Sequence, residues 1–170
     1  MGMLTTEEVA LAANAPRSNV LRLLAARQIP YQALNFSDEI HSAEGAAEAM
    51  GVPTQQVYKT LVVLRERGRP LLVLVPGGRQ LDLRRLARAV GEKKLRMASQ
   101  REAEALTRLR VGGISALALL NRGFAVYIEA SARQFTEIYV SAGQRGLNVR
   151  LPVADLMRLT EARLVEAAVE

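Results

Sequence analysis

Two apolar runs of β type, Val57 to Leu64 and Pro70 to Val75, flank Arg65-Glu66-Arg67-Gly68-Arg69, a short polar connection that contains glycine. This pattern predicts a β-hairpin. Helix signals surround it. Ser18 opens a helix through Val20, Leu21, Leu23 and Leu24 to about Arg27, before Pro30; Ser42 caps an alanine-rich helix that Gly51 terminates. Asp82 caps another with Leu83, Leu86 and Val90 on one side, and Gly91 stops it. Caps of these types satisfy the orphan amides and carbonyls of helix ends. Extended pieces fall at Tyr31 to Phe36 and Lys94 to Met97, a polar helix at about Gln100 to Leu106, and strands at Ala125 to Ile128 and Glu137 to Val140. A closing helix begins near Pro152 and runs to Arg158. Helices interleaved with short strands and a hairpin indicate the α+β class.

At 170 residues with nearly half its composition apolar, the chain suffices for one compact domain with a real core. The capping box Thr5-Thr6-Glu7-Glu8 introduces a short helix ending near Asn14, so residues 1–16 read as a helical extension and 17–170 as the domain.

Lys59 stands inside the first apolar run, in a chain whose other basic residues are nearly all arginine. Period-two alternation places it on one face with Val57, Leu61 and Val63, where an unpaired charge is costly to bury. A cleft-lining lysine is a site candidate. Taken alone, the residue is more simply an edge-strand lysine whose stem covers apolar surface and whose charge blocks sheet aggregation.

The absence of cysteine removes disulfides, thiolate metal sites and a cysteine nucleophile, and a single histidine, His41, leaves little for zinc or iron. No metal or cofactor is expected. No run of about twenty apolar residues suggests a membrane span, and no secretory segment is evident, so a cytoplasmic location is expected. The net charge of +6, carried largely by arginines, suits a polyanionic partner and equally suits solvated helix faces.

Val111-Gly112-Gly113-Ile114-Ser115 lets backbone amides approach a carbonyl or phosphate closely, although paired glycines usually make only a turn. Tyr139 to Gly146 places Ser141 and Arg145 on a glycine-containing loop after a strand, which is either a ligand loop or a simple reversal of the chain. His41 and Ser42 adjoin a helix start, where Ser42 is better explained as a cap than as part of a triad. The pair Thr6 to Asn14 and Ser18 to Arg27 has the size of a helix-turn-helix, with Arg17 and Arg22. That pair makes a non-catalytic nucleic-acid-binding protein the rival from another class.

Taken in order, Gln56-Val57-Tyr58-Lys59-Thr60-Leu61, Gln80-Leu81-Asp82-Leu83, Val111-Gly112-Gly113-Ile114-Ser115 and Ile138 to Leu147 closely resemble the YbaK family. This is a family of trans-editing aminoacyl-tRNA deacylases related to the insertion domain of bacterial prolyl-tRNA synthetase. The resemblance covers about Ser18 to Val165. It implies a single α+β domain around a twisted, partly barrel-like mixed sheet surrounded by helices, with the pocket beside the strand bearing Lys59. It assigns Gly112 to the loop that fixes the substrate's carbonyl and terminal ribose, Ser141 to the pocket wall and Phe36 to the mouth. Gly113, Ile114, Ser115, Arg145 and Asn148 join them as substrate-binding positions, with Lys59 and Gly112 as the catalytic ones.

YbaK-type members remove cysteine mischarged on proline tRNA, and the resemblance implies attack by the substrate's own thiol on its ester carbonyl, giving a cyclic thiolactone and free tRNA. Lys59 would raise the thiolate fraction or anchor a phosphate, and the Gly112 and Gly113 amides would hold the ester and its oxyanion. The implied partners are a tRNA acceptor end and prolyl-tRNA synthetase. Asn148 stands where cysteine-specific members have aspartate, Ala116 where proline is expected, and Thr107-Arg108-Leu109 where a Thr-Gly-Tyr-like stretch is usual. A deacylase for alanyl or another small aminoacyl-tRNA, using water, is the alternative within the superfamily.

Overall fold

The computed structural model describes residues 18–170, so the expected helix from Thr6 to Asn14 and the extension over 1–16 lie outside the described residues. The predicted hairpin forms. Strand β2 (Tyr58–Arg65) pairs antiparallel with β3 (Leu71–Pro76), from Tyr58 opposite Pro76 to Val63 opposite Leu71. These two strands are the centre of a five-stranded mixed sheet. It adds β5 (Leu95–Met97) beside β2, and β6 (Ala125–Glu129) then β9 (Arg163–Val165) beyond β3, with the last two pairings parallel.

β3 is buried along its whole length and feeds two cores by alternation. Leu72 and Leu74 join Val20, Leu24, Ile138, Val149 and Leu151 in the main core. Leu71, Val73 and Val75 turn to the other face, against Leu86, Ala87, Leu95 and Val165.

A second sheet, antiparallel throughout, runs β1 (Gln32–Asn35), β8 (Leu147–Pro152), β7 (Glu137–Gln144). It meets the first at one parallel bridge, Val57 to Tyr139. The implied partly barrel-like sheet is therefore two sheets hinged at one corner, and the barrel does not close. A two-residue ladder joins β10 (Ala168–Val169) to β4 (Gln80–Leu81).

The capping signals locate the helices. α1 (Asn19–Ala26) starts after Ser18, whose Oγ accepts the Leu21 amide and also donates to the Ala142 carbonyl of β7. Val20, Leu21 and Leu24 are buried against the sheets, so packing accounts for the apolar face that a helix-turn-helix reading would also use. α2 (Ala43–Met50) runs from the Ser42 cap to Gly51, α3 (Leu83–Val90) from Asp82 to Gly91, and α4 (Gln100–Thr107) begins with a full capping box of Ser99 and Glu102. α5 (Val153–Thr160) follows Pro152.

α3 covers the second core through Leu86 and Ala87, and Asp82 Oδ1 accepts the amides of Arg84 and Arg85, each at 3.0 Å. Asp82→Ala is expected to cost about 1 kcal/mol, seen in urea unfolding as a lower midpoint with unchanged slope. An unchanged midpoint would show that water replaces the cap without loss.

Two expectations about strands change. Lys59 lies on an inner strand, between β3 and β5, not at a sheet edge. β5, however, pairs only with Val63, Leu64 and Arg65, which leaves the flank of β2 around Lys59 without a neighbouring strand on that side. Ser141 stands on β7 and not on a loop after it, because the strand continues through an irregularity between Ser141 and Gln144. Only Arg145 and Gly146 turn the chain into β8.

Candidate active site

Where β5 leaves β2, a cavity of about 350 Å³ opens. One wall is β2 from Val57 to Val62, and the residues Met97 to Gln100 form another. The start of α2, from Ile40 to Glu44, closes one end, and Val111, Gly112 and Ile114 close a further side. Val62 accepts the Ala98 amide on the side facing β5. By two-residue alternation, the backbone N–H and C=O of Thr60 face the same side, towards the cavity.

Phe36, Lys59, Gly112, Ile114, Ser141 and Asn148 all line this space. Four elements bring them together: Phe36 follows β1, Lys59 is on β2, Ser141 is on β7 and Asn148 is on β8. Ser141 and Asn148 are direct cross-strand partners, and Asn148 is buried.

Lys59 is half-buried and makes no ion pair among the described residues. Its charge acts on Glu44, in the first turn of α2 and in the same cavity wall. Hydrogen bonds from Glu44's own backbone and from the Gly78 amide hold that carboxyl below its ordinary value of 4.5, partial burial opposes them, and the Lys59 charge adds a smaller attraction. The Gly78 N–H donates to Glu44 Oε1 at 2.7 Å, tying α2 to the turn after β3. The sequence held no signal for Glu44 beyond a first-turn acid, because its approach to Lys59 depends on tertiary packing.

The segment before Gly112 is braced from two sides. The Val111 amide donates to Glu104 Oε2 at 2.8 Å, and Arg145 Nε donates to the Val111 carbonyl at 2.7 Å. Gly112 has φ +95°, and a Cβ there would lie 3.1 Å from His41 Cα. Its N–H has no partner among the described residues and sits at the cavity wall.

Gly113, Ser115 and Arg145 do not line the cavity. The Gly113 amide is already donated to the Arg110 carbonyl at 2.7 Å, so it is not available as an oxyanion donor alongside Gly112. Ser115 is 1% exposed, too deep to touch a ligand in the cavity, and its Oγ has no partner among the described residues. Arg145 holds the loop by its Nε, which makes it a positioning residue.

The serine hydroxyls in the cavity wall are engaged with backbone amides: Ser42 with Gly45, Ser99 with Glu102 and Ser141 with Gly143. His41 Nε2 lies 3.1 Å from the Asp38 carbonyl, and among the described residues no serine is hydrogen-bonded to its ring. A nucleophile–base pair of the kind that activates serine is therefore not assembled. The site offers a cation, a free amide and an exposed strand edge around a small space. Such features bind and polarise a carbonyl-bearing ligand.

Such a pocket on an open α+β scaffold has the form of a small-ligand site. The family of aminoacyl-tRNA editing domains matches across residues 37–159, and the chain belongs to this family of editing deacylases. It is 33% identical over 152 residues to the "Putative Cys-tRNA(Pro)/Cys-tRNA(Cys) deacylase EbsC" of Enterococcus faecalis, covering 88% of this chain and 92% of that protein. A solved structure described as "a putative trans-editing enzyme for prolyl tRNA synthetase" superposes with TM-score 0.77 at 26% identity, covering 99% of this chain and 100% of that one. Hypothetical protein APE2540 shares the fold with TM-score 0.80 at 23% identity, over 88% of this chain and 99% of its own. Among the described residues, no helix is long and apolar enough to cross a membrane.

Proposed function

We propose that the chain clears cysteine from mischarged proline tRNA, with Lys59 and Gly112 as the groups that act on the aminoacyl ester. The observation that carries this reading is the composition of the cavity wall: Lys59 and Gly112 line a small space in which, among the described residues, no serine is paired with a base. A substrate that brings its own nucleophile suits such a site. The cysteinyl sulfur attacks its ester carbonyl carbon, the carbon–oxygen bond to the terminal ribose breaks, and the thiol proton ends on the ribose oxygen. The products are a cyclic thiolactone and deacylated tRNA.

In this scheme the Gly112 N–H meets the oxygen that becomes negative, and Lys59 favours the thiolate. Holding thiol and carbonyl in contact supplies most of the acceleration. At about 350 Å³ the cavity is at the small end of ligand pockets, enough for an aminoacyl group and part of a ribose. Alanine and serine esters fit as well but lack the thiol, so selection is chemical and does not depend on measuring a methyl group. Prolyl-tRNA synthetase, named in the description of a structural relative, is the proposed source of the tRNA.

Single-turnover assays on cysteinyl-, alanyl- and seryl-tRNA with the proline anticodon test the mechanism. Cysteine alone should be lost, with thiolactone recovered. Its rate should rise about tenfold per pH unit below the thiol pKa, which is about 8.5 when unperturbed. Equal or faster loss of alanine would replace the thiol by a water mechanism.

A further inference from the structure

A second cavity, of about 490 Å³, lies beside the open end of the central hairpin, where β3 runs into Arg79 and β6 ends at Glu129. Arg79, Arg85 and Arg133 line it with Ser131 and Gln134. Arginine forks beside hydroxyl and amide donors match a tetrahedral oxyanion with several acceptor oxygens.

The arginines are not consumed by internal partners. Arg79 Nη2 donates to the Ala168 carbonyl at 2.7 Å, which fixes its position without neutralising it. Arg85 is mostly exposed, and its ion pair is a long one, Nε to Asp82 at 3.9 Å. Arg133 makes no ion pair among the described residues. Of the two acids in the wall, Glu129 is 5% exposed and its Oε2 accepts the amides of Ala167 and Ala168, both at 2.9 Å. Its charge is held by the backbone. Glu166 is exposed and makes no ion pair among the described residues.

The two cavities share a connection. Tyr58 lines the first, and its hydroxyl is 2.7 Å from Ser131 Oγ in the wall of the second. Arg79 follows Gly78, whose amide is held by Glu44 at the rim of the first. One tyrosine side chain and one turn therefore separate them.

We infer that the Arg79–Arg85–Arg133 cavity binds a backbone phosphate of the same RNA whose aminoacyl end enters the first cavity. This rests on the reading of the substrate as aminoacyl-tRNA. The contact supplies affinity and register, because phosphate contacts position a nucleic acid without reading its sequence.

The test compares wild type with the double variant Arg85→Gln/Arg133→Gln, leaving Arg79 to hold Ala168. A control removes two exposed arginines elsewhere, Arg101→Gln/Arg163→Gln. Three quantities are measured: the Kd for deacylated tRNA across salt concentrations, the single-turnover rate at saturating aminoacyl-tRNA, and turnover of a 3′-cysteinyl adenosine that carries no phosphate. Expected for the double variant are a Kd raised about tenfold and a salt slope reduced by about 0.7 to 0.9, as for one lost phosphate contact. Its saturating rate and adenosine-ester turnover should match wild type. A double variant that binds tRNA like wild type, or no more weakly than the control, overturns the site alone. Failure of wild type itself to bind or deacylate tRNA overturns the substrate reading and this site with it.

Discussion

Lys59→Ala is expected to lower single-turnover deacylation at saturating substrate by about 10²- to 10³-fold, the range for losing one preorganised charge-stabilising group. Thermal unfolding should barely move, because Lys59 is half-buried without an ion pair among the described residues, and Glu44 keeps its amide partners without it. The two roles open to the ammonium predict different pH behaviour. If it favours the substrate thiolate, the deficit shrinks as pH rises past about 8.5, where the thiol ionises unaided. If it anchors a phosphate, the loss appears in KM, weakens with salt and is flat with pH. Lys59→Arg should recover part of the rate, since it restores charge but with a planar fork in place of a compact ammonium. Unchanged kcat and KM in Lys59→Ala would remove the residue from the mechanism.

Helix positions were legible because their caps are local: Ser18, Ser42, Asp82 and Ser99 each bond an amide within the first turn. The central hairpin was legible because both strands are continuous apolar runs. β8 was not recognised, although Leu147, Val149 and Leu151 alternate with Asn148 and Arg150. Gly143, Gly146 and Pro152 punctuate that stretch and suggest a loop, while the β7 and β1 partners that stabilise it are distant in sequence. β4, β9 and β10 are two or three residues long and exist only through such partners.

The site divides in the same way. Lys59 was conspicuous as a cation within an apolar run, and the glycine pair was visible as a motif. Which glycine faces a ligand depends on where β7 and β8 turn, which adjacency in sequence does not encode. Ser115 and Arg145 were grouped with Gly112 by motif, yet one is buried and the other clamps the Val111 carbonyl. Burial and hydrogen bonding separate residues that bound the cavity from those that hold its wall.

Gly113→Ala should therefore be a stability mutant and its neighbour Gly112→Ala an activity mutant. A Cβ at Gly113 would lie 2.8 Å from both Arg145 N and Gln144 C and 2.9 Å from Gln144 Cα. All three are backbone atoms at the end of β7 and the start of the turn into β8, so no side chain can swing aside. Overpacking of this kind costs about 1–3 kcal/mol, and a backbone obstacle places this case near the upper figure. For a chain of this length, about 3 kcal/mol lowers Tm by roughly 6–12 °C. At Gly112 the nearest atoms are looser, His41 Cα at 3.1 Å and Arg145 Cγ at 3.4 Å, and the strain comes from φ +95°. Relief of that strain rotates the Val111–Gly112 and Gly112–Gly113 peptides at the cavity wall, moving the unpartnered amide. The smaller stability loss, about 1–2 kcal/mol, should accompany the larger fall in deacylation rate. Differential scanning calorimetry beside single-turnover kinetics on both variants gives the comparison. If Gly113→Ala kept its Tm and lost its rate, Gly113 would belong to the pocket, and the division between Gly112 and Gly113 drawn from their hydrogen bonds would be reversed.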